Sequence, residues 1–133
     1  MSVNDLQDWA KDQIANANAS VETDDQFVYI KWKANSELVG HICIENRKPF
    51  LYIISFQLNN EMQNQGVFTS FAAFIPGYAR EQDFTHLGVI SANLLMRELL
   101  AKCGFKRGID PDDYFVDISM EDSPPEQYGN TRP

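Results

Sequence analysis

Residues 58 to 69 read LNNEMQNQGVFT and connect a predicted strand, Phe50–Leu58, to a helix predicted to begin at Gly66. The strand is almost wholly apolar, which is typical of a central position in a sheet. A turn that passes from a buried strand into a helix presents backbone N–H groups without an intrahelical partner, and the helix dipole adds partial positive charge to them. The glycine lets a ligand approach the backbone closely. These residues therefore predict an anion site suited to a pyrophosphate.

The chain before this segment has the pattern of one helix followed by a three-stranded meander. Asn4 and Gln7 resemble a capping box, and apolar residues then recur at helical spacing, so a helix is predicted over residues 5–17. Residues 18–26 are predicted to be a polar linker. Residues 27–33, 37–45 and 50–58 are predicted to be strands, because they are rich in apolar, aromatic and β-branched side chains and are separated by short turns.

The chain after the segment alternates helices and strands. Residues 66–80 predict a helix with a break or kink near Ile75, because Pro76 removes a hydrogen bond and clashes with the preceding turn. A strand over residues 86–91, a helix over residues 93–103 and a strand over residues 114–119 follow. The fold class is therefore α/β (α+β), a mixed, mainly antiparallel sheet with flanking helices and a βαβ crossover. We expect a single domain over residues 1–120 and a mobile tail over residues 121–133.

The composition favours a folded, acidic domain. Hydrophobic residues make up 44% of the 133 residues, and the formal net charge is −8 with a pI near 4.6. This charge argues against nucleic acid as the main partner, because phosphate contacts require clustered lysine and arginine. It either favours a cationic substrate or partner, or reports no more than a solvated surface.

The two cysteines indicate whether a disulfide framework or a metal site is expected. The N-terminus and the apolar runs indicate the cellular location. Cys43 and Cys103 lie in apolar stretches far apart in the chain, so they predict neither a disulfide framework nor a metal site. The N-terminus has no basic start and no long apolar run, and no segment approaches the roughly 20 apolar residues of a membrane span. We therefore expect a cytoplasmic protein with no membrane association and no metal.

Two motifs resemble the GNAT (Gcn5-related N-acetyltransferase) superfamily. Gln63-x-x-Gly66-x-Phe68 is similar to the family's Gln/Arg-x-x-Gly-x-Gly/Ala phosphate cradle, with phenylalanine in place of the last small residue. The run from Asn93 to Gly104 and Phe105 is similar, without a gap, to the family's Asn-x-x-Ala-x-x-Leu-Tyr-x-Lys-x-Gly-Phe pattern. The resemblance covers residues 27 to 105 and indicates a divergent member that is trimmed at its N-terminus.

The resemblance implies acyl transfer from acetyl-CoA, as co-substrate, to a primary amine of a small molecule or a protein. Family members often form homodimers. The resemblance assigns cofactor binding to backbone groups of the third strand, to the cradle and to one asparagine: Phe56, Gln57, Leu58, Gln63, Asn64, Gln65, Gly66, Val67, Phe68, Thr69 and Asn93.

The catalytic residues of the family have no obvious counterparts in this chain. The tyrosine that often protonates the leaving thiolate falls at Leu100, and a glutamate base used by some members falls at Gly88. The remaining candidates are His86, Tyr52 and Ser55, with His41 as a second histidine; each has a purely structural role as its alternative. Histidine is considered because imidazole readily exchanges a proton near neutral pH.

Two functions therefore stay open. The first is an acetyl-CoA-dependent N-acyltransferase, which the cradle and the run ending at Phe105 favour. The second is a non-catalytic GNAT-fold binding or assembly protein, for example an accessory or virion protein of a phage, another virus or a mobile element. Leu100, Gly88 and Phe68 favour this second function, because each replaces a residue that the family uses.

Overall fold

Seven strands form one sheet in the computed structural model, which describes residues 3–60, 66–90, 94–102, 104–108, 110 and 112–119. In chain order the elements are α1 Val3–Lys11, β1 Asn18–Thr23, β2 Phe27–Ala34, β3 Glu37–Arg47, β4 Phe50–Leu58, α2 Val67–Glu81, β5 His86–Ile90, α3 Leu94–Lys102, β6 Lys106–Arg107 and β7 Asp113–Asp117. The spatial order is β1-β2-β3-β4-β5-β7-β6. Strands β4 and β5 are parallel, and the other neighbours are antiparallel. The predicted mixed, mainly antiparallel sheet is confirmed.

Successive side chains of a strand point to opposite faces of a sheet, and the two faces here differ in character. The core face carries buried apolar residues, among them Ile30, Trp32, Ile42, Ile44, Leu51 and Ile53. Helix α1 lies on this face, because the indole N–H of Trp32 donates to the carbonyl of Ala10 at 2.8 Å. The opposite face, called here the polar face, carries the half-buried side chains of Tyr29, His41, Cys43, Tyr52 and Ser55.

Helices α1 and α2 pack against each other through an aromatic cluster. The ring of Trp9 stacks on Phe74 with centroids 5.5 Å apart and contacts Phe71 at 5.4 Å. The indole N–H of Trp9 also donates to the hydroxyl of Ser70 at 2.9 Å. This cluster fixes the first half of α2, and therefore its N-terminus, relative to the sheet.

The predictions for residues 1–26 need correction. The first helix ends at Lys11 rather than at residue 17, and Asn16 has the positive φ of 63° that a turn requires. The prediction of a polar linker over residues 18–26 was wrong, because residues 18–23 form the edge strand β1. The expectation that a helix alone precedes β2 was wrong for the same reason.

The predictions for the second half need smaller corrections. Helix α2 runs without a break through Pro76, so a break near Ile75 was wrongly predicted; the alternative of a kink there stays a prediction. Proline removes one backbone donor, but Pro76 is buried, and the helix continues on both sides of it. The short strand β6 was not predicted, and the last strand is Asp113–Asp117 rather than residues 114–119. The expected tail over residues 121–133 lies outside the described residues.

Candidate active site

Strands β4 and β5 run side by side for four residue pairs and then part. Residues 50–53 pair with residues 86–89, whereas β4 continues to Leu58 along β3 and β5 continues to Ile90. Within the described part of the chain, the β5 side of residues 54–57 therefore has no strand partner. An extended ligand can add to such an edge as a further strand would.

A β-bulge lies where the two strands part. Cys43 pairs with Ser55 and Ile44 pairs with Ile53, so Ile54 is the extra residue on β4. A bulge bends its strand and increases the local twist, and this accounts for the divergence of β4 from β5. We call the opening beyond this point the gap, and the end marked by Ile53, Ile54 and Val89 its apex.

Among the described residues, no side chain caps the N-terminus of α2. Gly66 adopts φ 74° and ψ 17°, in the left-handed region that favours glycine. The N–H of Ser70 donates to the carbonyl of Gly66 at 2.9 Å, so the N–H groups of Val67, Phe68 and Thr69 precede the helical ladder. A Cβ built on Gly66 would have no heavy atom within 4 Å. Among the described residues, nothing therefore fills the side of Gly66 where a side chain would lie.

Phe56 joins the gap to this helix end. Its ring contacts Phe68 with centroids 5.7 Å apart and Phe71 with centroids 5.5 Å apart, both in edge-on arrangements. Phe68 stands where the family has a small residue, and the structure accommodates it because its ring packs against Phe56. The free edge of β4 and the first amides of α2 are thus held beside each other.

The predicted cofactor-binding residues divide into two groups. The structure describes Phe56, Gln57, Leu58, Gly66, Val67, Phe68 and Thr69, and it brings them to the gap and the adjoining end of α2. Gln63, Asn64, Gln65 and Asn93 lie outside the described residues.

Ser55 and His41 form a hydrogen-bonded pair on the polar face. The Nε2 atom of His41 lies 2.8 Å from the hydroxyl of Ser55. Ser55 is the first residue after the bulge, so the pair borders the gap. The neighbouring Cys43 is a poor nucleophile, because burial raises the pKa of its thiol and the charge of Glu45 raises it further.

Tyr52 lies on the other side of the bulge and reaches across β5. Its hydroxyl donates to the two carboxylate oxygens of Asp113, at 3.0 and 3.2 Å. Burial raises the pKa of Tyr52, and the hydrogen bond to Asp113 raises it further. The ring crosses Gly88, where a Cβ would lie 2.4 to 2.6 Å from its carbons. The absence of a side chain at Gly88 is therefore what lets Tyr52 reach Asp113.

Asp113 is the residue at this site that sequence reasoning missed. It lies just before the predicted last strand, residues 114–119, and 61 positions from Tyr52 in the chain. No local spacing can indicate a contact of that range. Only the pairing of β7 with β5 brings the two side chains together.

His86 lies away from the apex. It pairs with Phe50, the first residue of β4, and its ring stacks on that phenylalanine with centroids 4.6 Å apart. Its Nδ1 atom lies 2.8 Å from the hydroxyl of Thr85 and its Nε2 atom 4.0 Å from Asp117. These contacts fit a packing role at the start of β5.

A separate cleft of about 280 Å³ lies at the other end of the sheet. The turns after β1 and β3 and the end of α2 line it, with Phe27, Lys48 and Tyr78 among the lining residues. The side chain of Lys48 spans part of the cleft, donating to the carbonyl of Gln82 at 2.7 Å. The cleft is distinct from the gap, which opens at the carboxyl end of β4.

The family model described as the acetyltransferase (GNAT) family matches residues 2–105. This chain belongs to the GNAT acetyltransferase family. The resemblance found in the cradle and in the run ending at Phe105 is thereby confirmed. No curated protein shows significant sequence similarity to this GNAT chain.

Solved structures of low sequence identity share the GNAT fold. The AtaT toxin, in a variant bound to the C-terminus of the antitoxin AtaR and acetyl-CoA, has a TM-score of 0.58 and 11% identity, over 78% of this chain and 94% of that one. The PaiA N-acetyltransferase of Thermoplasma acidophilum, in complex with coenzyme A, has a TM-score of 0.54 and 15% identity, over 68% and 58%. Tetrahymena Gcn5 has a TM-score of 0.54 and 17% identity, over 71% and 70%.

Neither a metal-binding cluster nor a membrane-spanning helix occurs in the described residues of this GNAT protein. No cluster of three or more metal-ligating side chains occurs among them. None of their helices combines the length and the apolar character that a membrane crossing requires.

Proposed function

We propose that this GNAT protein is an acetyl-CoA-dependent N-acyltransferase that acylates a primary amine. The observation that carries the proposal is the unpaired β5 side of residues 54–57, which lies beside the uncapped N-terminus of α2. The free edge of β4 suits an extended arm that contains amides, and the N-terminus of α2 suits a pyrophosphate. Neighbours of the same fold bind coenzyme A or acetyl-CoA, which supports the same ligand here.

The residues of this chain would divide the binding of acetyl-CoA between them. The backbone of Phe56 and Gln57 would pair with the pantetheine arm, and the amides from Gly66 to Thr69 would hold the pyrophosphate. Acetyl-CoA supplies an acyl group activated as a thioester. The chain would hold that group near the apex beside the bound amine, and this proximity would lower the entropic cost of their reaction.

Calorimetry with acetyl-CoA tests the binding, with a matched pair of variants at Gly66. Asparagine and aspartate both tolerate the left-handed conformation and have the same shape, so Gly66→Asn and Gly66→Asp differ in charge alone. We expect Gly66→Asn to keep measurable affinity and Gly66→Asp to lose it, because the carboxylate repels the pyrophosphate. Equal affinities would place the ligand elsewhere, and no binding to the wild type at millimolar acetyl-CoA would refute the proposal.

A second function, binding without catalysis, is favoured by one observation. Leu100 stands where many family members have a proton-donating tyrosine, and its side chain is 2% exposed, so it takes part in the core. A protein of this second kind would bind a partner through the GNAT fold without releasing coenzyme A. Release of free thiol from acetyl-CoA in the presence of primary amines separates the two functions.

A further inference from the structure

On the polar face, a tyrosine and an aspartate form a hydrogen-bonded pair near the apex of the gap. The hydroxyl of Tyr52 is tied to Asp113, and Asp113 pairs with Ile90 of β5. Ile90 lies one residue beyond Val89, the last residue of β5 that pairs with β4. Measured along the strands, the Tyr52 hydroxyl therefore lies level with the start of the gap, although the backbone of Tyr52 lies two residues before the bulge.

The orientation of this hydroxyl decides what it can bind. Its proton is directed to the carboxylate of Asp113, so the lone pairs of the phenolic oxygen remain to accept a hydrogen bond. A carboxylate that accepts from a phenol makes that phenol a better acceptor, because hydrogen bonds in a chain polarise one another. Burial and Asp113 both raise the pKa of Tyr52, so the phenol is protonated at neutral pH and can donate to Asp113.

The charges around the pair favour a cation. Asp113 lies behind the phenol and is the charged group with the largest effect on the pKa of Tyr52. Arg47 opposes that effect, and Asp110, in the turn before Asp113, adds a smaller negative contribution. The guanidinium of Arg47 lies 4.7 Å from the centre of the Tyr52 ring, and its Nε atom is paired with Glu45 at 2.7 Å. The Arg47 charge is thus partly neutralised by Glu45, and it faces the ring rather than the hydroxyl–carboxylate bond.

We propose that Tyr52, held by Asp113, forms the subsite for the nitrogen of a cationic primary amine. The proposal rests on the proposed function, since that function supplies the acyl group at the apex. It accounts for Gly88, where some relatives are expected to carry a glutamate. The carboxylate comes here from β7 through Asp113, and the missing side chain at Gly88 makes room for the tyrosine that connects it to the gap.

A pair of coenzyme A thioethers isolates this subsite from the rest of the site. S-(2-aminoethyl)-coenzyme A carries an ammonium close to the sulfur, and S-propyl-coenzyme A has the same shape without the charge. The ratio of their dissociation constants, measured by calorimetry at pH 7, reports the nitrogen subsite alone. We expect the wild type to prefer the aminoethyl compound by about tenfold or more, as for a hydrogen bond that involves a charged group.

Three variants show which residues cause the preference for the aminoethyl compound. Tyr52→Phe removes the acceptor and should bring the ratio close to one, while Asp113→Asn keeps an acceptor for the phenol but removes the charge and should reduce the ratio. Tyr29→Phe removes a hydroxyl from the same face, two strands away, and should leave the ratio unchanged. Failure of both compounds to bind the wild type would count against the proposed function itself. Equal binding of both by the wild type, or an unchanged ratio in Tyr52→Phe, would overturn the subsite and leave the function standing.

Discussion

The side-chain amide of Gln7 hydrogen-bonds to the outer edge of β1 at Ala19. Its Nε2 group donates to the carbonyl of Ala19 at 2.8 Å, and its Oε1 atom accepts from the N–H of Val21 at 3.0 Å. One side chain of α1 thus replaces the partner that an additional strand would supply. The contact protects an edge of the sheet, which would otherwise be open to pairing with another chain.

Loss of this contact should destabilise the protein measurably. Gln7→Met keeps the size of the side chain but removes both hydrogen bonds, and we expect the free energy of unfolding to fall by about 1–3 kcal/mol. Urea denaturation followed by circular dichroism gives the value. Asp8→Asn, at the exposed neighbouring position, serves as the control and should change stability by about 0.5 kcal/mol or less. Equal effects of the two substitutions would contradict the bridging role of Gln7.

Gly88 should be intolerant of any side chain as long as Tyr52 is present. A Cβ there would lie 2.4 to 2.6 Å from three ring carbons of Tyr52, so Gly88→Ala should destabilise the fold by about 1–3 kcal/mol. In the background of Tyr52→Ala the same substitution should cost clearly less. A double-mutant cycle from urea denaturation measures the difference, which we expect to exceed about 0.5 kcal/mol. Strict additivity would show that the ring does not oppose a side chain at this position.

The hydroxyl of Ser70 should matter for stability although serine is a poor helix former. It accepts from the indole N–H of Trp9, whose side chain is 9% exposed. Ser70→Ala leaves that donor without its partner in a largely buried place, and we expect a loss of about 1–2 kcal/mol. Thermal unfolding with tryptophan fluorescence checks the value. Ser70→Thr keeps the hydroxyl and should recover most of the loss; a neutral Ser70→Ala would refute the account of this contact.

Glu45 should make folding sensitive to acid. The side-chain amide of Gln26 donates to its carboxylate at 2.8 Å and lowers its pKa below the ordinary value of 4.5, and Arg47 contributes to the shift. A carboxyl whose pKa is lower in the folded state stabilises the fold above its unfolded pKa, and this contribution disappears as the pH falls through the folded value. Wild-type stability should therefore drop as the pH decreases below about 4.5.

The variant Gln26→Ala isolates this contribution. It removes the largest cause of the shift, so the stability difference between wild type and variant should shrink between about pH 5 and pH 3. Urea midpoints measured across that range give the two curves. Other acidic groups with lowered pKa values, such as Asp117, remain in both proteins and cancel in the comparison. Parallel curves would mean that Gln26 does not hold the ionised form of Glu45.

The sequence predicts the central part of this fold well and its N-terminal edge poorly. The apolar runs of β3 and β4 and the spacing of α2 are set by burial, which leaves a periodic pattern. Strand β1 reads NASVET and is mostly exposed, so it carries no such pattern. Its pairing depends on β2 and on the Gln7 amide, which are tertiary contacts. The break predicted at Pro76 was wrong for a related reason, since tertiary packing, which the sequence does not show, can override a local helix propensity.

The candidate site, like the fold, could be predicted only in part from the sequence. The cradle glycine could be read from the sequence, because a left-handed helix cap favours glycine and leaves a local signature. The hydrogen bond between Tyr52 and Asp113 could not be predicted from the sequence, because it depends on the order of the strands and on the absence of a side chain at Gly88. His86 was a candidate by residue type alone. The strand register, which pairs it with Phe50 at the start of β5, could not be predicted from the sequence.

An amide-resolved NMR titration of the wild-type protein with acetyl-CoA locates the acyl-CoA site. We expect the largest shifts of backbone resonances at Phe56 and Gln57 in the gap and from Gly66 to Ser70 at the end of α2. Resonances of the cleft at the other end of the sheet, near Asp24 and Lys48, should stay in place. Shifts concentrated in that cleft, or no shifts at millimolar acetyl-CoA, would contradict the assignment of the gap as an acyl-CoA site.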